Sequence, residues 1–415
     1  MKPSTRRARA VRTALATSIA ILLALSAVPE AGAEHTQRTT QQSPRERRWA
    51  DTLMLRKHKK KVIRRRIAPG LILTKIIDYR VPRRIFVLRA DVAKFPLTFD
   101  VALASPLPAR AKTGAIAKAH GAIAAINGDF STTGVGRPVH PFVEDGEFLS
   151  TTDALGSSFV VSPNEDRILV ERPTQIVTAQ NSQTGATWRI DRWNQGAPGI
   201  GEIAGFTPLG GTLEQPPPDS CSLHLTPLTP VEFANPTGLM RQYTIDQRAC
   251  SQTRMPVGDG AVLSALPGTD EATQLLALPL GTTMTVTWDT GFSNVLDVQG
   301  GAGIIVQDGR VNVPAGCIAG RCHADPRTGI GVHETGRIMM VVVDGRQPKY
   351  SIGLSSRAFA QLMIRLGAVQ ALMLDGGGSS TMWIEGDVVN RPSDGRQRSI
   401  SEAALILPGP DPGEA

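Results

Sequence analysis

The spacing of apolar and polar positions divides this chain into unlike stretches. The first apolar run covers residues 14–28 and follows Arg6, Arg7, Arg9 and Arg12 with no acid among them. It stops at Pro29, and Ala31-Gly32-Ala33 places small residues just before Glu34. A basic start, a short apolar middle and a small-residue end form an export signal. A bilayer-spanning helix needs about 20 apolar residues, and this run is shorter. The pattern predicts a signal peptide over 1–33, cleaved after Ala33, and a secreted, extracellular product.

Further along, the periodicity is mostly that of short strands. Strand-like sequence begins at Leu71, with β candidates at 85–88, 97–101, 158–161 and 283–288. Residues 113–120 read as a short helix, and 123–126 as a buried strand. Gln215-Pro216-Pro217-Pro218 opens a polar stretch. Residues 212–255 are therefore expected to be an inserted surface loop.

The most ordered pattern lies near the C-terminus. Residues 337–343 form an apolar β run that ends at Asp344-Gly345-Arg346. Ser355 can cap a helix whose apolar positions Phe359, Leu362, Met363 and Leu366 share one face, and Gly367 stands where a helix stop belongs. A second β run ends at Asp375-Gly376-Gly377-Gly378-Ser379-Ser380. The unit at 337–375 is thus strand, helix, strand. If its strands are parallel, both end at one edge of the sheet, where α/β folds place their ligands. The expected class is α/β in the mixed, α+β sense: a mixed β-sheet core with this unit and many short strands.

Composition fits a globular body. The chain has 415 residues, 41% apolar and 20% charged, which excludes a fibrous or largely disordered protein. Charge subdivides it. Residues 34–90 hold 17 basic and 4 acidic side chains, whereas 91–415 hold 23 and 32. The predicted organisation is a basic, disordered leader over 34–66, a catalytic body over 67–408 and a tail over 409–415. A basic arm on an exported protein suits an anionic cell-wall polymer or membrane surface. Its aromatics (Trp49, Tyr79, Phe86) are too scattered to stack bases, so no nucleic acid is expected.

Four cysteines remain after export: Cys221, Cys250, Cys317 and Cys322. An even count in an exported chain implies disulfides. The economical pairing joins Cys221 to Cys250 and Cys317 to Cys322. Zinc-like spacing is absent from the sequence, no cofactor is implied, and no metal is indicated.

Chemistry concentrates at the two Asp-Gly corners. Each alone is ordinary turn sequence. Together, if the two strands are parallel, Asp344 and Asp375 would be two carboxylates at one sheet edge. The glycines after Asp375 could let a backbone N–H cradle approach an anion. The loop is neither a Walker loop nor a nucleophile elbow. A weaker echo precedes it: residues 121–126 lead into Asn127-Gly128-Asp129-Phe130-Ser131, so two similar loops could share one site.

The blocks Asp325-Pro326-Arg327-Thr328-Gly329-Ile330-Gly331, Val341-Val342-Val343-Asp344-Gly345-Arg346, Leu374-Asp375-Gly376-Gly377-Gly378-Ser379-Ser380-Thr381-Met382 and Val389-Asn390-Arg391-Pro392 stand in order. With Asn127-Gly128-Asp129-Phe130 upstream, they resemble the phosphodiester glycosidase family. The resemblance is dense from Pro326 to about Leu407. Asp129 departs from it, since a Gly or Ser often stands there.

The resemblance implies cleavage between an anomeric carbon and a phosphodiester oxygen, on a carbohydrate phosphodiester. Asp375 and Asp344 are then the catalytic carboxylates, and Arg327 clamps the phosphate. Gly376, Gly377, Gly378, Ser379 and Ser380 complete the clamp, with Arg346 as a second anion ligand. Asn127 and Asn390 bind sugar hydroxyls, and Asp129 adds a third carboxylate. Two other functions stay open: a glycosidase or polysaccharide-modifying enzyme on another wall polymer, and a non-catalytic wall-binding protein.

Overall fold

A computed structural model describes residues 60–132, 135–152, 157–161, 168–315 and 322–409. The predicted signal over 1–33, residues 34–59 of the leader, Cys317 and nearly all of the tail lie outside the described residues. All described residues fall in one compact unit, 59–415.

An eight-stranded sheet runs in the order Lys60–Ala68, Leu71–Asp78, Arg83–Ala90, Ile338–Val343, Arg327–His333, Ala368–Met373, Gly303–Gln307, Arg310–Val311, and its paired neighbours are antiparallel. A five-stranded sheet runs Asp387–Val388, Met382–Ile384, Ala124–Asn127, Glu402–Pro408, Leu97–Leu103. Their inner faces close on one core. Leu73, Phe86, Leu88, Ile330, Met340 and Leu372 come from the first sheet, and Phe99, Val101, Ile126, Ile384 and Ile406 from the second. This alternation of inward apolar positions makes a sandwich.

Each outer face is covered by a helix. Ser356–Arg365 lays Phe359, Ala360, Leu362 and Met363 on Val87, Met339, Val341 and Ala371. Its N-cap is Ser355, whose hydroxyl accepts the Ala358 N–H at 3.2 Å. Thr113–Ala119 lays Ile116 and Ala117 on Ala125, Trp383 and Ala403. A separate nine-stranded sheet, including Thr283–Asp289, Leu239–Ser251 and Ser220–Pro227, has its own core around Leu223, Tyr243, Ile245, Met284 and Val286.

The expected helix–strand grammar is present, but strands dominate. Helices among the described residues are few and short, so "mixed α/β" fits only loosely. The strand–helix–strand unit is real. Its strands Ile338–Val343 and Ala368–Met373 do not pair with each other. Both pair antiparallel with Arg327–His333 between them, and so run parallel to one another.

Two boundaries differ from the sequence reading. Residues 60–66 were assigned to the disordered leader, yet Lys60–Ala68 is an edge strand paired along its length with Leu71–Asp78. The backbone ladder needs no apolar face, and charged side chains are suited to an exposed edge. Residues 212–255 are not a surface loop. Ser220–Pro227 and Leu239–Ser251 pair inside the nine-stranded sheet, because Leu223, Leu225, Leu239, Tyr243 and Ile245 point inward among polar neighbours. The disulfide Cys221–Cys250 joins directly opposed residues of these strands. Cys322 is also disulfide-bonded.

Cys221 and Cys250 are 29 residues apart. Replacing both by Ala is expected to lower stability by about 3 kcal/mol through the freed unfolded chain, measured by denaturant unfolding.

Candidate active site

The two Asp-Gly corners meet across one segment of main chain. A Cβ on Gly345 would stand 2.4 Å from the Pro326 nitrogen, and one on Gly376 would stand 2.7 Å from the Pro326 carbonyl oxygen. Gly377 N–H also donates to that oxygen at 3.0 Å. The strand that starts at Arg327 therefore begins where its two neighbours end. Asp344 and Asp375 flank it.

A buried polar network links the Asp344 carboxylate to the main chain of Asp375. Asn390 Nδ2 donates to Asp344 Oδ1 at 2.8 Å and to the Ser380 carbonyl at 3.0 Å. Thr328 Oγ1 donates to Asn127 Oδ1 at 2.9 Å and lies 3.1 Å from Ser380 Oγ. Asn127 Nδ2 donates to the Asp375 carbonyl at 2.8 Å. Asp375 N–H reaches the Gly128 carbonyl at 3.2 Å, so the two echo loops do meet. Both asparagines are buried and engaged with protein groups. Their amides position the aspartates, which takes them away from the expected contact with sugar hydroxyls.

The two carboxyls differ in surroundings. Asp344 is 1% exposed. Burial pushes its carboxyl up to about 6, against hydrogen bonds from Asn390, the Arg391 N–H and Tyr350 that hold it down. Asp375 is partly exposed. Burial raises it, while Ser379 and the Gly376 N–H at 2.8 Å stabilise its anion and nearby Asp129 opposes it.

Asp129 belongs to a third, deeper group. Its Oδ2 is 2.6 Å from His140 Nδ1 and accepts the His140 N–H at 3.1 Å. Its N–H donates to Glu402 Oε1 at 2.8 Å, which also accepts Gln299 Nε2 at 2.5 Å. Glu402 is fully buried and held well above the ordinary carboxylate range by desolvation, with Asp129 adding to it. Asp129 Oδ1, Glu402 Oε2 and Gln299 Oε1 are buried without a hydrogen-bond partner.

The expected anion clamp is arranged otherwise. Arg327 is 8% exposed, and its Nε and Nη2 donate to the carbonyls of Leu354 at 2.8 Å and His323 at 3.0 Å. Most N–H groups of the glycine run are already engaged. Gly376 N–H serves Asp375, and the N–H groups of Gly377, Ser379 and Ser380 bond carbonyls of Pro326, Gly376 and Gly377. A Cβ on Gly377 would meet the Arg346 guanidinium, and one on Gly378 the Asp394–Arg398 ion pair. These glycines admit side chains close to the loop. Ser379 and Ser380 are buried. Arg346 is half exposed and paired with Asp325 at 2.9 Å.

Thr328, Tyr350, Glu402 and Gln299 were not singled out from the sequence. Thr328 lies in the recognised block after Arg327, which is the one signal that could have marked it. A metal-like grouping occurs elsewhere: Asp100, Asp145 and Asp297 bring carboxylate oxygens within 4.8 Å of one another.

Against known proteins, residues 240–407 match the family model described as phosphodiester glycosidase. The matched stretch includes the strands that end at Asp344 and Asp375 and resembles that family's domain. An 81-residue segment is 36% identical to the SPbeta prophage-derived uncharacterized protein YomE of Bacillus subtilis (strain 168), covering 20% of this chain and 12% of that one. The fold is similar to a hypothetical protein from Synechocystis, with TM-score 0.63 at 18% identity over 83% of this chain and 63% of that one. A Burkholderia pseudomallei K96243 protein assigned to export aligns with TM-score 0.56 at 21% identity over 81% and 74%. This chain thus spans less than two thirds of the first relative in each set.

Two outcomes check this geometry. Gly345→Ala forces a Cβ onto the Pro326 main chain and is expected to destabilise by about 1–3 kcal/mol and to cut activity, read by thermal unfolding and turnover. Asn390→Ala removes a hydrogen bond that favours the Asp344 anion. The acid limb of the kcat/KM profile is then expected to move above pH 6, toward neutrality, if ionised Asp344 is the form that works.

Proposed function

We propose that this protein is an exported hydrolase of sugar-1-phosphodiester bonds in a cell-wall or extracellular glycan. One observation carries the reading: Asp344 and Asp375 end two mutually parallel strands and are fixed by a single buried network through Asn390, Ser380, Thr328 and Asn127.

The reaction's demands fit such a pair. The leaving group is a phosphate monoester, whose second pKa is about 6, so it departs with little protonation. What remains is a carboxylate at the anomeric centre and a base for water. Asp375, the more open of the two, is assigned as nucleophile or base. Asp344, buried and held by three donors, is assigned as base or orienter. Asp129 with His140 supports the floor beside Asp375. Arg327 holds the 323–327 and 354 segments in place through their carbonyls, a positioning role. Export is supported by the signal-like N-terminus and the Cys221–Cys250 disulfide. The exposed basic strand Lys60–Ala68 suits an anionic polymer or membrane surface.

The test compares an α-sugar-1-phosphodiester with the matching nitrophenyl glycoside. Sugar release from the phosphodiester is expected, and Asp375→Asn should reduce it by about a thousandfold or more, of the order seen for removing a catalytic group, without lowering Tm. A well-folded, fully active Asp375→Asn protein overturns the assignment. Arg327→Ala is expected to lower kcat on both substrates alike; loss confined to the phosphorylated one returns Arg327 to the clamp.

A further inference from the structure

A phosphodiester carries a negative charge that must be met at the site. Neither group expected from the sequence to meet it is placed to do so. Arg327 faces main-chain carbonyls, and the N–H groups of Gly376, Gly377, Ser379 and Ser380 bond within the protein. Arg346 and Arg398 are each paired with an aspartate.

Two other arginines stand beside Asp344. Tyr350 hydrogen-bonds the Asp344 carboxylate. The Arg84 guanidinium carbon lies 4.9 Å from the centre of the Tyr350 ring, and that of Arg391 lies 5.2 Å from it. Arg84 also lies 5.3 Å from the Tyr79 ring. Both backbones are anchored on Asp344 itself. The Arg391 N–H donates to Asp344 Oδ1 and Oδ2, each at 3.1 Å. The Arg84 carbonyl accepts the Asp344 N–H at 3.0 Å. Ser351 completes the bracket by accepting the Arg84 N–H at 3.0 Å and donating to the Asp344 carbonyl at 2.5 Å.

Neither guanidinium has a carboxylate ion-pair partner among the described residues, although Arg84 Nη1 donates to the adjacent Arg83 carbonyl at 3.1 Å, which leaves its other N–H groups for a ligand. Arg84 is partly exposed and Arg391 exposed. Two like charges beside one aromatic ring repel each other. Cation–π attraction offsets part of that cost and restrains both side chains, and a bound anion would offset more of it. Arginine suits such a place because its planar fork matches two phosphate oxygens at once.

We propose that Arg84 and Arg391, carried on Tyr350, form the anion clamp of this site and bind the non-bridging oxygens of the substrate's phosphodiester group. This rests on the reading of the substrate given above. Tyr350 couples the clamp to chemistry, since its ring carries the cations and its hydroxyl holds Asp344.

The test is direct binding of inorganic phosphate and of a sugar 1-phosphate to the whole protein by titration calorimetry. Variants are Arg84→Gln, Arg391→Gln and the pair, with Arg310→Gln on a remote strand as the charge control. Each clamp variant is expected to weaken both ligands about tenfold, and to raise KM for the phosphodiester more than it lowers kcat. The control should bind as the unaltered protein does. Tyr350→Phe keeps the ring and should retain phosphate affinity, while the acid limb of activity moves to higher pH. Folded clamp variants that bind phosphate as tightly as the unaltered protein overturn the clamp, even if phosphodiester hydrolysis stands. Phosphate bound through both arginines with no phosphodiester hydrolysed leaves the clamp standing and overturns the reaction.

Discussion

The site depends on how closely the chain packs at Pro326. Two Asp-Gly corners, 31 residues apart in sequence, close on the two sides of this one residue. No side chain larger than hydrogen fits at Gly345 or Gly376. Because the strand that follows is antiparallel to both neighbours, its first residues lie where theirs end. Steric closure there, with the pairing register, sets where both carboxylates stand.

Burial then gives the carboxylates unequal characters. Asp344 is nearly sealed, and its charge is tolerated because side-chain and backbone donors converge on it. Asp375 keeps partial exposure and a serine donor. Deeper in, Glu402 has two donors on one oxygen and none on the other, which suits a neutral acid. A gradient from open to sealed acids within one network separates groups that can meet substrate from groups that hold the floor.

Much of this was legible. The strand at 338–343, the Ser355 cap and the apolar face of the helix at 356–365 follow from local pattern. The internal echo allowed that the Asn127 and Asp375 loops could share a site, and the fold brings them together. The loop assigned to 212–255 failed because inward apolar residues alternate there with Ser, His, Thr and Arg, so mean polarity concealed two core strands. The edge strand at 60–68 was hidden by its charge, since an exposed ladder is held by backbone pairing that leaves no apolar trace.

What the sequence determined by itself were residue types and local turns: two Asp-Gly corners, a run of three glycines, a capped helix and cysteines at a workable spacing. Each is a short-range matter of backbone freedom and side-chain chemistry. Only the tertiary structure decided which groups are engaged. Arg327 and the N–H groups of Gly376 and Gly377 look like anion ligands in one dimension, yet in three they satisfy carbonyls and a carboxylate of their own chain. Arg84 and Arg391, far apart in sequence, come to one aromatic ring. Hydrogen-bond donors are used wherever folding puts acceptors in reach, and that accounting is settled by contacts between distant segments.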